Sequence, residues 1–279
     1  MLKLTMKSKW VLLIVLTLLI TSCSKYQRLL KSDDVNLKKE KAYEYYYKGD
    51  YHRALGLISD IIPAFRGTVH AEQLNYYFAM AHYKQGDYIL AAHYFKTFTQ
   101  GFPRSEHAEE FLFMSAYCKY LLSPRASLDQ TDTREAISEL QSFINRYPRS
   151  ERVEEANILI DELREKLEEK AFQSAKLYFN IRDYMAAVTS FNNVIRDFPD
   201  TQYREESLFY IIRSHFLFAE NSIQVRQLER YQKVLQAHRR LANRFPDSEF
   251  MTDADRMLAR SKERIAELEE IAAAQTQDN

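Results

Sequence analysis

The chain has 279 residues, with 39 Lys and Arg balancing 39 Asp and Glu, 46% hydrophobic residues, 19 tyrosines, 5 glycines, 6 prolines and 2 cysteines. Balanced charge argues against nucleic acid or another polyanionic partner, and two cysteines are too few for a disulfide framework. So few turn residues fit long helices joined by short loops.

The N-terminus carries Lys3, Lys7 and Lys9 without an acid, and an apolar run follows from Trp10 to Ile20. A spanning helix needs roughly 20 apolar residues, so residues 1–22 read as a secretion signal instead. The run ends in "LLITSCSK" (18–25), which resembles the lipobox of bacterial lipoproteins. That resemblance implies that Cys23 becomes the first residue of the mature chain and carries the lipid. Cys118 is then the lone remaining thiol, and several acyl chains would hold the protein on a membrane. No aspartate stands next to Cys23, which favours the outer membrane over the inner in lipoproteins of the kind it resembles. Residues 23–35 read as a lipidated linker.

Two phrases then alternate along the chain. The first is "KGDYHRAL" (48–55), "QGDYILAA" (85–92) and "IRDYMAAV" (181–188); the second is "FPRSE" (102–106), "YPRSE" (147–151), "FPDTQ" (198–202) and "FPDSE" (245–249). Gly49 and Gly86 can end a helix in the left-handed conformation, and Asp50 and Asp87 can cap the next one. Proline at 103, 148, 199 and 246 stops the second helix of each unit. Ser105, Ser150, Thr201 and Ser248 are expected to cap the following helix, with Glu106, Glu151 and Glu249 in its first turn. Within one segment, Val153, Ala156, Ile160, Leu163, Leu167 and Ala171 recur at helical spacing opposite a charged face. A last helix with Met251, Leu258, Ile265 and Leu268 on a narrow stripe reads as a cap, and residues 272–279 as a disordered tail.

No enzyme signature emerges. The seven histidines include no HExxH, no phosphate-binding glycine loop exists, and Cys118 sits in the aromatic "FLFMSAYCKYLL" as a small core residue. Neither a metal nor a cofactor is expected beyond the lipid on Cys23.

The alternating phrases resemble tetratricopeptide repeats. Matching positions are Ala42, Tyr45, Ala54 and Ile58 in the first unit; Ala79, His82, Ala91, Phe95 and Pro103 in the second; and Ala136, Leu140, Phe143 and Pro148 in the third. The fourth offers Ala175, Tyr178, Ala187, Phe191 and Pro199, and the divergent fifth Val234 and His238. The resemblance implies an all-α, right-handed superhelical solenoid of about five helix pairs with a C-terminal capping helix. Repeats 1–3 occupy residues 36–146; repeats 4–5 and the cap occupy 147–271. An insertion at 121–133 separates the helices of the third unit. First helices line the concave wall in such repeats, which points Tyr43, Tyr46, Tyr76, Met80 and Tyr83 inward. Each is either peptide-binding groove or inter-repeat core, and the sequence leaves both open.

A lipobox followed by five such units, with "SLDQTDTREAISELQSFINRYPRSE" in the third, resembles the BamD family of outer-membrane β-barrel assembly lipoproteins. The resemblance covers nearly all of the chain after Cys23, with a shorter loop ahead of that third-unit helix. It implies a non-catalytic, periplasm-facing subunit. Its amino-terminal repeats would receive unfolded outer-membrane proteins, and its carboxy-terminal repeats would dock on periplasmic domains of a BamA-like insertase, with Arg204 and Arg213 as candidate contacts. Two rivals are a scaffold lipoprotein organising envelope or peptidoglycan-associated proteins, and a glycan-capturing lipoprotein. The second is disfavoured because the sole tryptophan, Trp10, lies in the signal.

Overall fold

The computed structural model describes residues 25–277; Cys23 and the signal segment lie outside the described residues. Among the described residues there is no strand, and eleven long helices succeed one another. They form five pairs: α1 (Val35–Tyr47) with α2 (Tyr51–Ile61), α3 (Ala71–Gln85) with α4 (Tyr88–Gly101), α5 (Ala108–Leu122) with α6 (Thr131–Arg146), α7 (Val153–Asn180) with α8 (Tyr184–Asp197), and α9 (Arg204–Glu220) with α10 (Gln224–Arg244). The last helix, α11 (Met251–Gln277), stands alone. This is the all-α helix-pair fold of tetratricopeptide repeats.

The turns inside the pairs follow from two residues. Gly49 and Gly86 take φ of +76° and +83°, and their N–H groups donate to Tyr46 O and Tyr83 O at 3.0 Å. The next residue closes a longer bond, Asp50 N to Tyr45 O at 2.9 Å and Asp87 N to His82 O at 3.0 Å. Those two bonds are the Schellman ending of a helix. The same aspartates then accept from Arg53 N at 3.2 Å and Leu90 N at 3.3 Å, capping the second helix. The fourth pair repeats the geometry with Arg182 at φ +65° in the glycine position and Asp183 accepting from Ala186 N at 3.1 Å.

Between pairs, one six-residue joint recurs four times. Phe102, Tyr147, Phe198 and Phe245 donate back to the carbonyl four residues earlier, and proline follows each. The hydroxyls of the next residues but one do not cap the following helix as expected. Ser105, Ser150, Thr201 and Ser248 accept instead from the N–H two residues on, at 3.1 to 3.2 Å, while their carbonyls accept from the residue three on. An extra turn therefore precedes each helix, and Glu106, Glu151 and Glu249 lie in it. The first helical turns carry Glu109 and Glu110, Glu154 and Glu155, and Asp253 instead. The first joint differs: a 3-10 turn at Ile62–Phe65 carries Pro63 near its start, and Thr68 takes the serine role.

The chain divides into two compact units, one running through Ser123 and resuming at Thr131–Leu163, the other made of Pro124–Gln130 and Arg164 onward. The division falls within α7, not at 146/147 as the phrasing of the repeats suggested. In the first unit the core of the opening pair is Ala42, Ala54, Leu57, Ile58 and Ile61, and the second and third pairs are joined by the rings of Phe95, Phe98 and Phe111. Phe111 lies 4.6 Å from both phenylalanines. Burying a phenyl ring of this kind is worth roughly 1.5–3 kcal/mol. The second unit centres on Phe172, Ala175, Ala187 and Phe191, continued by Ile211, Tyr231, Val234 and Leu241.

Four expectations are corrected. The segment after residue 24 is no free linker: residues 25–30 are helical, and Tyr26 donates to Arg53 O at 3.2 Å with its ring edge-on to Tyr45. Gly56 makes room for that hydroxyl, since a Cβ there would collide with it. The third-unit insertion shrinks to residues 123–130, because α5 continues to Leu122 and α6 begins at Thr131. Tyr178, expected to pack, is 41% exposed; Phe179, four residues beyond Ala175 and nearer its face, meets Tyr210 at 5.0 Å instead. Finally, α11 runs on to Gln277 instead of ending at 271, and its buried stripe is Ala254, Ser261 and Leu268, one residue per two turns. Small residues let the cap approach α10 closely.

Candidate functional site

The first unit carries a connected face of tyrosines. Helical spacing places Tyr43, Tyr46 and Tyr47 along α1, and the same periodicity places Tyr76 and Tyr77 on α3. Tyr77 is the hub. Its ring centroid lies 4.9 Å from Tyr43, 4.7 Å from Tyr46, 5.8 Å from Tyr47 and 5.3 Å from Tyr76. Most of these contacts are edge-on or tilted, the arrangement aromatic quadrupoles favour, each worth about 0.5–1.5 kcal/mol beyond area burial. Tyr76 continues the row onto α5, 4.5 Å from His107 and stacked 5.1 Å from Phe111.

Three of the five expected tyrosine-face residues, Tyr43, Tyr46 and Tyr76, thus meet through Tyr77. Met80 and Tyr83 pack with the second core instead, Tyr83 lying 6.1 Å from Phe95. Sequence reasoning passed over Tyr47, the most exposed of the group at 72%, and Tyr77 itself. The runs "YEYYY" and "NYYF" were the available signal, because adjacent aromatics on a helix widen its apolar stripe beyond the single inward line.

The hydroxyls form their own edge. Tyr43 donates to Gln73 Oε1 at 3.2 Å, and Tyr47 and Tyr77 share a hydrogen bond. Burial, aided by the neighbouring Tyr47, pushes the Tyr43 phenol up to about 12; burial does the same for Tyr46, and Tyr77 rises too. All stay neutral donors and acceptors at any physiological pH. Beside them opens a hollow of about 470 Å³ lined by Val69, Glu72, Gln73, Tyr76, Tyr77 and His107. Glu72 is held from below by Ser105, whose hydroxyl donates to it at 2.6 Å. An apolar ring wall with polar tips can take side chains and backbone of an extended peptide.

The other expected residues fare differently. Arg204 and Arg213 are not brought together. The Arg204 guanidinium donates to Ile195 O and Pro199 O, tying down its own joint, whereas exposed Arg213 lies over the Phe179 ring at 4.9 Å. Cys118 is fully buried, and burial pushes its thiol up to about 12, far from a reactive thiolate. Among the described residues no three His, Cys, Asp or Glu side chains converge as metal ligands, and no helix is long and apolar enough to cross a membrane.

A family model described as outer membrane lipoprotein matches residues 36–227. The outer membrane protein assembly factor BamD of Caulobacter vibrioides is 25% identical over 178 residues, 64% of this chain and 55% of that relative, so the chain matches little more than half of that protein's length. BamD of Haemophilus influenzae is 22% identical over 213 residues, covering 73% of this chain and 81% of the relative. Among solved structures, the TPR domain of P58(IPK) is 19% identical, with 91% of this chain and 68% of that chain covered at a TM-score of 0.39.

Proposed function

This chain belongs to the YfiO family of outer membrane lipoproteins, and from that premise we propose that it is a non-catalytic subunit of the machinery that assembles β-barrel proteins in the outer membrane. Its relatives bear the name of outer membrane protein assembly factors, which supports the role. Cys23 carries the lipid that holds the protein on the periplasmic side. The first unit binds unfolded outer-membrane proteins, and the helix pairs of the second dock on periplasmic domains of a BamA-like insertase through the α9 surface that bears Arg213. Arg204, being occupied within its own joint, contributes by shaping that surface. The observation that carries the substrate-binding reading is the tyrosine row Tyr43, Tyr46, Tyr47, Tyr76 and Tyr77 beside a peptide-sized hollow.

Replacing Tyr76 would also disturb the Phe111 stack, so the discriminating variant is Tyr47→Ala, at an exposed ring. Affinity for a urea-unfolded β-barrel protein should fall about tenfold, the loss of one aromatic anchor, while the melting temperature falls by only a few degrees, the loss of the ring contacts to Tyr46 and Tyr77, and the chain stays folded. Unchanged affinity in Tyr47→Ala, together with unchanged affinity in Tyr43→Phe, overturns the substrate face. The assembly role is tested separately by purifying the acylated protein from gently solubilised envelopes. A β-barrel protein with periplasmic repeat domains should co-purify in near-equal amount; recovery of cell-wall proteins alone would favour the envelope scaffold.

A further inference from the structure

The zero net charge of the chain hides a local imbalance. Over its 21 residues α10 holds six cations, Arg226, Arg230, Lys233, Arg239, Arg240 and Arg244, against one carboxylate, Glu229. Five of them, all but Arg239, are spaced by 4, 3, 7 and 4 residues, which puts them within one narrow face of the helix. They span about 27 Å at 1.5 Å per residue. Among the described residues no ion pair engages any of the five, while on the neighbouring α11 Arg256, Arg260 and Arg264 each pair with an acid on their own helix.

The row borders a groove. Arg240 reaches across to α8, donating to Asn192 Oδ1 at 3.0 Å. At the start of α10 a hollow of about 380 Å³ is lined by Met185 of α8, by His215 and Phe218 of α9, and by Arg226, Arg230 and Lys233 of α10, three cations against the single carboxylate Glu229. Arg230 is half sunk there, its guanidinium 3.8 Å from the Phe218 ring. At the far end Arg244 shares a second hollow with Arg204, where Asp200 and Glu205 balance the two cations and so end the basic row. The rim near Arg226 is apolar and exposed: Ile223 and Val225 are 71% and 82% accessible, and Met185 is uncovered as well.

We propose that this groove of the second unit binds an extended acidic segment of a partner protein, with an apolar residue at one end seated against Met185, Phe218 and Val225. Its carboxylates follow the α10 row toward Arg244, and eight or so extended residues, at about 3.3 Å each, match the row's length. Arginine dominates the row, and its planar fork suits bidentate capture of carboxylates. A flat bilayer surface is the poorer occupant, because Arg230 and the α9 side of the hollow are recessed between α8 and α10 where headgroups in a plane do not reach. This site is independent of the assembly role and of the tyrosine face.

The probe is a fluorescein-labelled oligoglutamate peptide carrying one terminal phenylalanine, titrated onto the full chain. Binding should weaken steeply with added salt. The triple reversal R226E/K233E/R240E, at exposed positions, should lower affinity at least about tenfold. Arg239 is adjacent to Arg240 but about 100° away from it round the helix, outside the row, so R240E alone should weaken binding and R239E much less; circular dichroism checks that each variant is folded. Salt-independent binding, equal losses in R239E and R240E, or no binding by the parent chain would overturn the proposal. So would phosphatidylglycerol vesicles that bind the parent chain but not the triple variant while the peptide binds neither, which would assign the row to a lipid surface.

Discussion

Arg182 does the work of a glycine. At φ +65° an L-residue gives up roughly 1–2 kcal/mol, yet the position closes the same pair of helix-ending bonds as Gly49 and Gly86. Its side chain is exposed, so nothing offsets that cost locally. Arg182→Gly should therefore stabilise the protein by about 0.5–1 kcal/mol, some of the relief being returned to the more flexible unfolded chain. Gly86→Ala should do the opposite, losing about 1–2 kcal/mol even though an added Cβ would meet open space. Urea midpoints for both variants separate backbone conformation from packing; a destabilised Arg182→Gly would show that the side chain has a hidden role. That "IRDY" belongs with "KGDY" and "QGDY" was readable from the shared Asp-Tyr, because the aspartate caps the helix that follows it regardless of which residue stands before. Tyr26 was not readable in this way. Its partner Arg53 is 27 residues away, and only the missing Cβ of Gly56 admits the ring.

At the scale of elements, the pairs were legible because each boundary is set by a residue whose backbone chemistry is local: a left-handed turn, an aspartate cap, a proline stop. What escaped was the use made of the serines, since a hydroxyl can accept from its own turn as easily as from the next helix. The third pair shows what replaces the short turn when no Gly-Asp is present. Residues 123–130 are held by buried Gln130, whose side-chain nitrogen donates to Arg125 O and Leu128 O at 3.0 Å and approaches Ala126 O at 3.4 Å. Lys170 adds a bond to Ser127 O at 2.8 Å. Gln130→Ala would remove three contacts to loop carbonyls, that of buried Ala126 among them, and should cost about 1–3 kcal/mol. Trypsin should then cleave after Arg125 faster than in the parent chain; an unchanged cleavage rate would mean the loop is held by its other contacts.

For the molecule as a whole, composition was a poor guide to surface. Equal totals of acid and base concealed the α10 row, because totals carry no information about which face of which helix the charges share. One histidine in each unit makes the fold acid-sensitive, His215 beside that row and His82 on α3. Burial lowers His215 to about 4, with Lys233 and Arg240 pressing the same way, and burial lowers His82 despite the nearby Asp87. Unfolded, these imidazoles take a proton near pH 6.5; folded, they resist it. The His215 contribution is thus whole above pH 6.5 and lost as pH falls toward about 4, a decline on the order of 1–2 kcal/mol once solvent screening is allowed for, and His82 acts in the same direction. Urea unfolding across that range should show the slope, and His215→Gln should flatten it; an identical slope would place the acid response elsewhere. The docked Tyr26 sets a different limit. With the lipid on Cys23, the leash from anchor to folded protein is three residue steps, about 10 Å when fully stretched. That is no more than the width of one helix, so the proposed anchor would hold the first helix pair at the membrane surface like a boat on a short mooring, and a client captured by it would be delivered there.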